Sequence, residues 1–128
     1  MKRIIHTSAA PAPVGPYNQA TAHQGTLYVS GQIALDPASG QLQTRTIEEE
    51  THQVMKNLQA ILHEAGLEFS DVLKCSVFVS DMNNYARINA VYAEYFDEAT
   101  APARELVEVA NLPKFVNIEI SLIAALRP

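Results

Sequence analysis

Two charged side chains in the last third of the chain interrupt apolar strand patterns, and both carry groups that can do chemistry. Arg104 begins a predicted strand just after Pro102, and Glu119 lies between two isoleucines of the last predicted strand. A guanidinium is a fixed fork of donors that matches the two oxygens of a carboxylate. A carboxylate held near it across adjacent strands could orient a water or accept a proton. The alternatives are a surface salt bridge for Arg104 and a solvated strand face for Glu119.

Two further polar side chains stand at unusual positions. Asn89 falls within the apolar stripe of the second predicted helix, four residues after Tyr85. A buried amide needs hydrogen-bond partners, so Asn89 either bonds a nearby loop backbone or points into a site. Tyr17 follows the turn Gly15-Pro16, where a tyrosine is often a packing lid with a solvated hydroxyl.

The remaining titratable side chains do not form a metal or nucleophile pattern. His52 and His63 lie eleven residues apart on the first predicted helix, which separates them by about 16 Å, too far to share a metal ion. The single cysteine, Cys75, alternates with Leu73 and Val77 and is therefore expected to be a buried apolar residue. No phosphate-binding glycine loop, nucleophile elbow or dinucleotide fingerprint occurs. We expect no metal.

The composition narrows the class of protein. With 128 residues the chain is predicted to form one domain, residues 1–128. Its net charge of -5 counts against binding to nucleic acid or to anionic membranes, and no apolar run reaches the roughly 18 residues of a membrane span. No signal peptide is evident, and one cysteine excludes an intrachain disulfide. A small, soluble, cytoplasmic domain is the expectation.

The elements that must position these side chains can be read from periodicity. Residues 26–30 read as a strand that breaks at Gly31 and resumes over 32–35, and the turn 36–40 then predicts a hairpin. Thr46 and Glu49 form a capping-box pattern that opens a helix, and Gly66 is its expected end.

The second half alternates in the same way. Strands are predicted over 72–80, 103–109 and 117–126, with a second helix after 81–84. In the first of these strands, Leu73, Cys75, Val77 and Val79 are expected to share one face. This order predicts an α+β fold with one sheet and both helices on one face. Because the other face would still carry apolar side chains, another subunit is its simplest cover.

Short motifs spread over nearly the whole chain resemble one known family, the RidA (YjgF) family of reactive-imine deaminases. In chain order they are Gly15-Pro16-Tyr17, Ser30-Gly31-Gln32-Ile33, Asn89-Ala90-x-Tyr92, the segment 102–114 (Pro-Ala-Arg-x-x-Val-Glu-Val-Ala-x-Leu-Pro-Lys) and Ile118-Glu119-Ile120. The block from Arg104 to Glu119 is the most specific part of the match.

The resemblance implies a chorismate-mutase-like fold and a homotrimer with its sheets packed inward and three clefts at subunit interfaces. It implies hydrolysis of 2-imino acids, such as 2-iminobutanoate and 2-iminopropanoate, to 2-oxo acids and ammonia, a detoxification step of amino-acid metabolism. The family needs no metal or organic cofactor. Small 2-imino and 2-oxo acids are the implied partners, with no nucleic acid and no membrane.

The resemblance also implies roles for individual residues. Arg104 would hold the substrate carboxylate, and Glu119 would position the water or the imine nitrogen. The implied lining of the cleft is Tyr17, Ser30, Gly31 and Asn89. The chain departs from the family pattern at two positions, Glu105 and Leu106, where small residues are usual. Leu106 shares the strand face of Arg104 and is expected to narrow the cleft, whereas Glu105 should point to the other face or pair with Arg104.

Two other functions remain open. A trimer that binds small 2-oxo acids or a partner protein without turnover is motivated by Leu106 and by the acidic balance. A ribonuclease or translation inhibitor is an activity attributed to some family members, and the net charge of -5 counts against it.

Overall fold

The computed structural model describes residues 1–128 and contains six strands and two α-helices. In chain order these are β1 (Arg3–Ile5), β2 (Ala20–His23), β3 (Thr26–Gln32), α1 (Ile47–Glu64), β4 (Val72–Val79), α2 (Tyr85–Tyr92), β5 (Ala103–Glu108) and β6 (Ile118–Ala125). The strands form one sheet in the order β1-β2-β3-β6-β4-β5. All neighbours are antiparallel except β4 and β5, which are parallel.

The core lies between one face of the sheet and the two helices. Alternate residues of β6 are buried and the others are partly exposed, so Ile118, Ile120, Leu122 and Ala124 share the core face as predicted. They belong to the same buried cluster as the apolar stripe of α1, which includes Val54, Leu58, Ile61 and Leu62. The α+β class, with one sheet and two helices, is confirmed.

Local signals set the ends of α1. The Thr46 hydroxyl accepts a hydrogen bond from the amide of Glu49 at 3.0 Å, and Gly66 follows the helix with a φ of 76°. The capping box is only half formed, because the Glu49 carboxylate pairs with Arg45 at 3.2 Å instead of turning back to the Thr46 backbone.

Two sequence expectations about strands were wrong in detail, and two short strands were missed. Strand β3 does not break at Gly31 but continues to Gln32 through a bulge, and only one isolated bridge, Leu35 to Leu42, follows it. Leu73 is exposed, because a register shift between Val72 and Lys74 turns it away from the core. The short edge pair β1 and β2 was missed, since three or four residues are too few to show a period.

The sheet face opposite the helices has no layer over it within the chain. Ile4 (46% exposed), Thr21, Tyr28 (50%) and Ile123 lie side by side across four strands on this open face. Val107 of β5 is paired with Phe78, which is paired with Glu119, so these three side chains share the open face. Neither helix has the length and apolar character that crossing a membrane requires.

Candidate functional site

Arg104 lies on the edge strand β5, with its side chain on the helix side of the sheet. It is paired in register with Cys75 of β4, which is fully buried in the core between sheet and helices. Because paired residues point to the same face, the Arg104 side chain runs over the core toward α2. We call the surroundings the Arg104 cleft, a cavity of about 470 Å³ lined by Asn89, Tyr92, Phe96, Pro102 and Arg104, among others.

The Arg104 guanidinium is held by neutral groups only. Its Nη1 donates to Oδ1 of Asn89 at 2.9 Å, and its Nη2 donates to the hydroxyl of Tyr85 at 3.1 Å. Its Cζ atom lies 4.8 Å from the centre of the Tyr92 ring, within cation–π range. No carboxylate oxygen of the chain lies within 4.0 Å of it. An oriented cation without a counter-ion is a binding site for an anion such as a carboxylate.

The structure therefore decides between the two interpretations of Asn89. Its amide oxygen is bound to Arg104 and not to a loop backbone. Its amide nitrogen donates no hydrogen bond within the chain. Tyr85, which the sequence indicated only as part of an apolar stripe, is the second partner that was missed. The signal was present, since residues four apart on a helix share one face and Tyr85 precedes Asn89 by four.

The floor beneath Arg104 is uncharged. The hydroxyl of Tyr92 is buried against Cys75 and makes no hydrogen bond of normal geometry. Burial raises the pKa of the Tyr92 hydroxyl and the pKa of the Cys75 thiol, so neither ionises near neutral pH. Cys75 is a buried apolar residue, as predicted. The charge of Arg104 thus lacks a compensating anion below as well as beside it.

Glu119 occupies a second cavity, on the open face of the sheet. We call it the Glu119 pocket, about 190 Å³ in volume and lined by Tyr17, Gly31, Gln32, Ile33, Lys114 and Glu119, among others. The Glu119 carboxylate is half-buried, accepts no hydrogen bond within the chain and has no cationic nitrogen within 4.0 Å. Burial raises the pKa of this carboxyl above its ordinary value. A half-buried carboxyl group without a partner in the chain is placed to take up and release a proton of a bound molecule.

Gly31 is required by the close approach of Glu119. The bulge in β3 sets Gly31 beside β6, where a Cβ atom on residue 31 would lie 2.6 Å from Oε2 of Glu119. Any side chain at this position would displace the carboxylate. Gly31 therefore belongs to the Glu119 pocket.

Tyr17 and Ser30 lie at the rim of the same region. Tyr17 lines the Glu119 pocket, and its hydroxyl accepts a hydrogen bond from the amide of Val14 at 3.4 Å. The Ser30 hydroxyl donates to the carbonyl oxygen of Asn18 at 2.6 Å, and Ser30 lines a shallow groove next to the pocket together with Tyr17. The hydroxyl of Ser30 therefore fastens the Tyr17 loop to β3.

The expectation that Glu119 lies near Arg104 across adjacent strands was wrong within one chain. Strand β4 lies between β5 and β6, and Arg104 is on the helix side whereas Glu119 is on the open side. The alternation of apolar and polar residues could not reveal this. It shows which residues of one strand share a face, but it does not show which strands are neighbours in the sheet. A single chain carries the two groups in separate cavities.

The two departures from the family pattern also have definite positions. Leu106 is on the helix side with Arg104 and packs partly buried against the core. Glu105 points to the other face, as predicted, where its carboxylate bonds the Ser76 hydroxyl and pairs with Lys74 at 3.1 Å. These two partners lower the pKa of Glu105. Glu105 therefore does not neutralise Arg104.

The two histidines of α1 are held in separate local contacts. His52 shares a hydrogen bond of 2.7 Å with the hydroxyl of Tyr95, and His63 lies 3.2 Å from the carboxylate of Glu68. No group of three or more His, Cys, Asp or Glu side chains is placed to hold a metal ion.

Two features beside the Glu119 pocket gave no sequence signal. Lys114 and Phe115 are consecutive residues with a φ of 56° each, in the left-handed region that side chains other than glycine rarely adopt. Lys114 lines the pocket, and Phe115 is 81% exposed at its side. Strained backbone of this kind clusters at functional sites.

Comparisons with known proteins agree on one family. The family model described as Endoribonuclease L-PSP matches residues 7–126. A RutC family protein of Synechocystis sp. is 54% identical over 125 residues, which cover 97% of this chain and 96% of that protein. The mouse protein named 2-iminobutanoate/2-iminopropanoate deaminase is 43% identical over 128 residues, covering 100% of this chain and 94% of the mouse protein.

A solved structure shows the same fold at full length. The crystal structure of the YjgF gene product of E. coli superposes with a TM-score of 0.91 at 42% sequence identity, covering 98% of this chain and 99% of that one. The motifs that the sequence shares with the family lie around the Arg104 cleft and the Glu119 pocket. The chain therefore belongs to the RidA (YjgF) family.

Proposed function

We propose that this protein hydrolyses 2-imino acids, such as 2-iminobutanoate and 2-iminopropanoate, to 2-oxo acids and ammonia. The observation that carries the proposal is the Arg104 guanidinium, oriented by Asn89 and Tyr85 and lacking any carboxylate partner within the chain. Relatives at about 43% identity carry the name of this activity, which supports it.

Arg104 binds the carboxylate that all 2-imino acids share. Two of its nitrogens are already fixed by neutral acceptors, so the guanidinium plane does not rotate when the anion arrives. Pre-orientation reduces the entropy lost on binding. The fixed carboxylate then determines where the neighbouring imine carbon lies.

Glu119 moves the protons of the reaction. Its carboxylate takes a proton from water as the water oxygen bonds to the imine carbon and the C=N electron pair passes to nitrogen. The protonated Glu119 then gives its proton to that nitrogen. The hydroxyl proton then passes through Glu119 to the nitrogen as the C–N bond breaks and the hydroxyl oxygen becomes the carbonyl of the 2-oxo acid, so that the products are the 2-oxo acid and ammonia. An imine carbon is already electrophilic, so orientation and proton transfer supply most of the benefit.

The complete site is a cleft between two subunits of a homotrimer. Because Arg104 and Glu119 lie on opposite faces of one sheet, a single chain cannot bring both to one substrate. Packing of the open sheet faces around a threefold axis covers their apolar side chains and sets the Arg104 cleft of one subunit against the Glu119 pocket of the next. Tyr17 and Gly31 then line the same cleft from the Glu119 side, and Asn89 from the Arg104 side.

We place the reaction in the cytoplasm. Cys75, the only cysteine, is buried as a free thiol, which is compatible with that compartment.

A coupled assay tests the proposed function. A threonine dehydratase generates 2-iminobutanoate, and semicarbazide traps whatever imine remains. We expect the wild-type protein to lower semicarbazone formation and Arg104→Ala to abolish the effect, because truncation removes the carboxylate ligand. Arg45→Ala is the matched control, since Arg45 is an exposed arginine of the loop before α1 that pairs with Glu49. Semicarbazone formation that neither wild type nor Arg104→Ala changes would sink the proposal.

Two other functions are distinguished by the same protein preparations. Calorimetry with 2-oxobutanoate that shows saturable, Arg104-dependent binding without turnover would indicate a binding protein. The description of the family model names an endoribonuclease. Cleavage of single-stranded RNA that is lost in Arg104→Ala and persists through further purification would support that activity, although the net charge of -5 disfavours RNA binding.

A further inference from the structure

A fully buried carboxylate on α1 lines neither the Arg104 cleft nor the Glu119 pocket. Glu50 is 0% exposed and faces the core side of the helix. No cationic side chain pairs with it. A carboxylate in such a place costs free energy unless its oxygens are satisfied by hydrogen bonds. The hydrogen-bond partners of the Glu50 carboxylate therefore indicate what this buried group does.

All the partners of Glu50 stand at the entrance to β6. Its Oε2 accepts hydrogen bonds from the amides of Asn117 at 2.8 Å and Ile118 at 3.3 Å. Its Oε1 accepts from the side-chain amide of Asn117 at 2.8 Å. Charge-assisted bonds of this kind are stronger than bonds between neutral groups. One side chain of α1 thus holds two consecutive residues at the strand start.

Asn117 is also bonded to Ser80, the residue that follows β4. Its carbonyl oxygen accepts a hydrogen bond from the amide of Ser80 at 3.1 Å, and its Oδ1 accepts from the Ser80 hydroxyl at 3.3 Å. The strand start is therefore fixed from the helix on one side and from the neighbouring strand on the other. On its N-terminal side lies the left-handed pair Lys114 and Phe115.

Glu119 is the next residue after this fixed pair. With about 3.3 Å of rise per strand residue, the Glu119 backbone lies one step beyond the Ile118 amide. The Glu119 carboxylate has little room, since it fills the space in which a Cβ atom on Gly31 would lie. A displacement of the strand start would therefore change the distance between the carboxylate and Gly31 and the place of the carboxylate in the pocket.

We propose that Glu50 is a positioning residue for Glu119, acting through the Asn117 and Ile118 amides to set where the Glu119 carboxylate lies in its pocket. The part of this inference that concerns catalysis rests on the proposed imine hydrolysis. The part that concerns geometry does not. The two parts are tested by separate measurements on the same variants.

The kinetic measurement compares Glu50→Leu, Glu50→Gln and wild type. Leucine fills the space but leaves the strand-start donors unsatisfied, so kcat should fall by about tenfold or more, as displacement of a catalytic group by about 1 Å can cost even more. KM should stay within about twofold of wild type, because the Arg104 clamp is untouched. Glutamine keeps one acceptor oxygen and should restore most of kcat.

Thr51→Val is the matched control for a merely structural effect. Thr51 is the next residue on α1, is equally buried, and its hydroxyl donates only to the Ile47 carbonyl at 2.7 Å. It should lower stability without lowering kcat. An equal loss of kcat in Thr51→Val and Glu50→Leu would overturn the proposal.

The geometric measurement follows the Glu119 carboxyl itself by carbon-13 NMR. In wild type the pKa of Glu119 should lie above the ordinary value for glutamate, and in Glu50→Leu the pKa should return toward it as the group moves into solvent. An unchanged Glu119 titration would overturn the proposal even if the wild-type enzyme hydrolyses imines. If the wild type hydrolyses none, the proposed function fails and the titration still decides the role of Glu50.

Asn117→Ala keeps the inference testable if Glu50→Leu does not fold. This variant removes the side-chain amide of Asn117 that donates to Glu50 and retains the two backbone amides that donate to it. We expect a smaller change of kcat and of the Glu119 titration in the same direction. If Asn117→Ala keeps the kcat and the Glu119 titration of the wild type, the proposal is contradicted.

Discussion

Arg104 and Glu119 are opposite cases of a charged group without a partner. Arg104 keeps its charge at every physiological pH and is oriented by an amide oxygen, a hydroxyl and an aromatic face. The Glu119 carboxylate is half-buried without a hydrogen-bond donor or a cation beside it in the chain, and burial raises its pKa. A fold tolerates such groups only at some cost in stability, and sites of function are where that cost is found.

The free-energy cost of burying the ionised Glu119 carboxylate depends on pH. A carboxyl whose pKa is higher in the folded than in the unfolded chain favours folding below the unfolded pKa, and this contribution is lost as the pH rises through the folded pKa. We therefore expect Glu119→Gln to be more stable than wild type at pH 8 and equal to it near pH 4, while its imine hydrolysis falls by about a hundredfold or more. Thermal unfolding at both pH values measures the difference.

Glu48→Gln supplies a control of the opposite sign. The Arg87 guanidinium, which bonds both oxygens of Glu48, lowers the pKa of that carboxyl to about 2. Its contribution is present above the unfolded pKa and is lost as the pH falls toward 2. Glu48→Gln should therefore be less stable than wild type at pH 8. A Glu119→Gln variant that also loses stability at pH 8 would mean that the carboxylate has a favourable partner in the assembled protein.

Among the elements, the turn that precedes β6 carries the clearest strain. Leu112 and Val116 at its ends are buried, so the left-handed conformation of Lys114 and Phe115 is imposed from both sides. A left-handed residue other than glycine costs about 1–2 kcal/mol, and asparagine tolerates the conformation better than phenylalanine does. The turn stores this strain next to the Glu119 pocket.

Replacement of Phe115 tests whether the ring compensates for this strain. Because the ring is largely exposed, we expect Phe115→Asn to raise the free energy of unfolding by about 1 kcal/mol. Phe115→Ala keeps the strain and should leave stability nearly unchanged. Urea unfolding measures both variants. A loss of stability in both would show that the ring is covered by another subunit.

Elements differ in how far the sequence alone could predict them. The ends of α1 and the core face of β6 follow from local chemistry, a Thr cap, a following glycine and a strict alternation. The Leu73 face could not be predicted, because a register shift depends on the partner strand. The positions of β1 and β2 could not be predicted either, since their pairing with β3 and not their own pattern makes them strands.

At the scale of the whole molecule, the open sheet face is the feature that a single chain leaves unsatisfied. Ile4, Tyr28 and Ile123 stand on it in one row with Thr21, and the Glu119 pocket opens on the same side. The proposed trimer covers the face and completes the site in one step. Assembly and activity should therefore fail together.

A charge placed in the middle of the open face tests this coupling. We expect Tyr28→Lys to dissociate the trimer, because a buried unpaired ammonium costs more than the interface can offset. Light scattering should show wild type at three times the 14.0 kDa chain mass and the variant below it, with imine hydrolysis lost in parallel. Thr44→Lys, in the exposed loop before α1, is the control. Wild type at 14.0 kDa, or an active monomeric Tyr28→Lys, would contradict the shared-cleft proposal.

By itself the sequence determined the class of fold, the family and the identity of the two unusual charged residues. Each of these depends on local pattern, which residue types and spacings record directly. Only the tertiary structure decided that β4 separates β5 from β6 and that Arg104 and Glu119 face opposite sides of the sheet. Strand order arises from contacts between residues far apart in the chain, and alternation within one strand contains no information about its neighbour. Only the fold, likewise, revealed that a helix residue, Glu50, holds the start of the strand that carries Glu119.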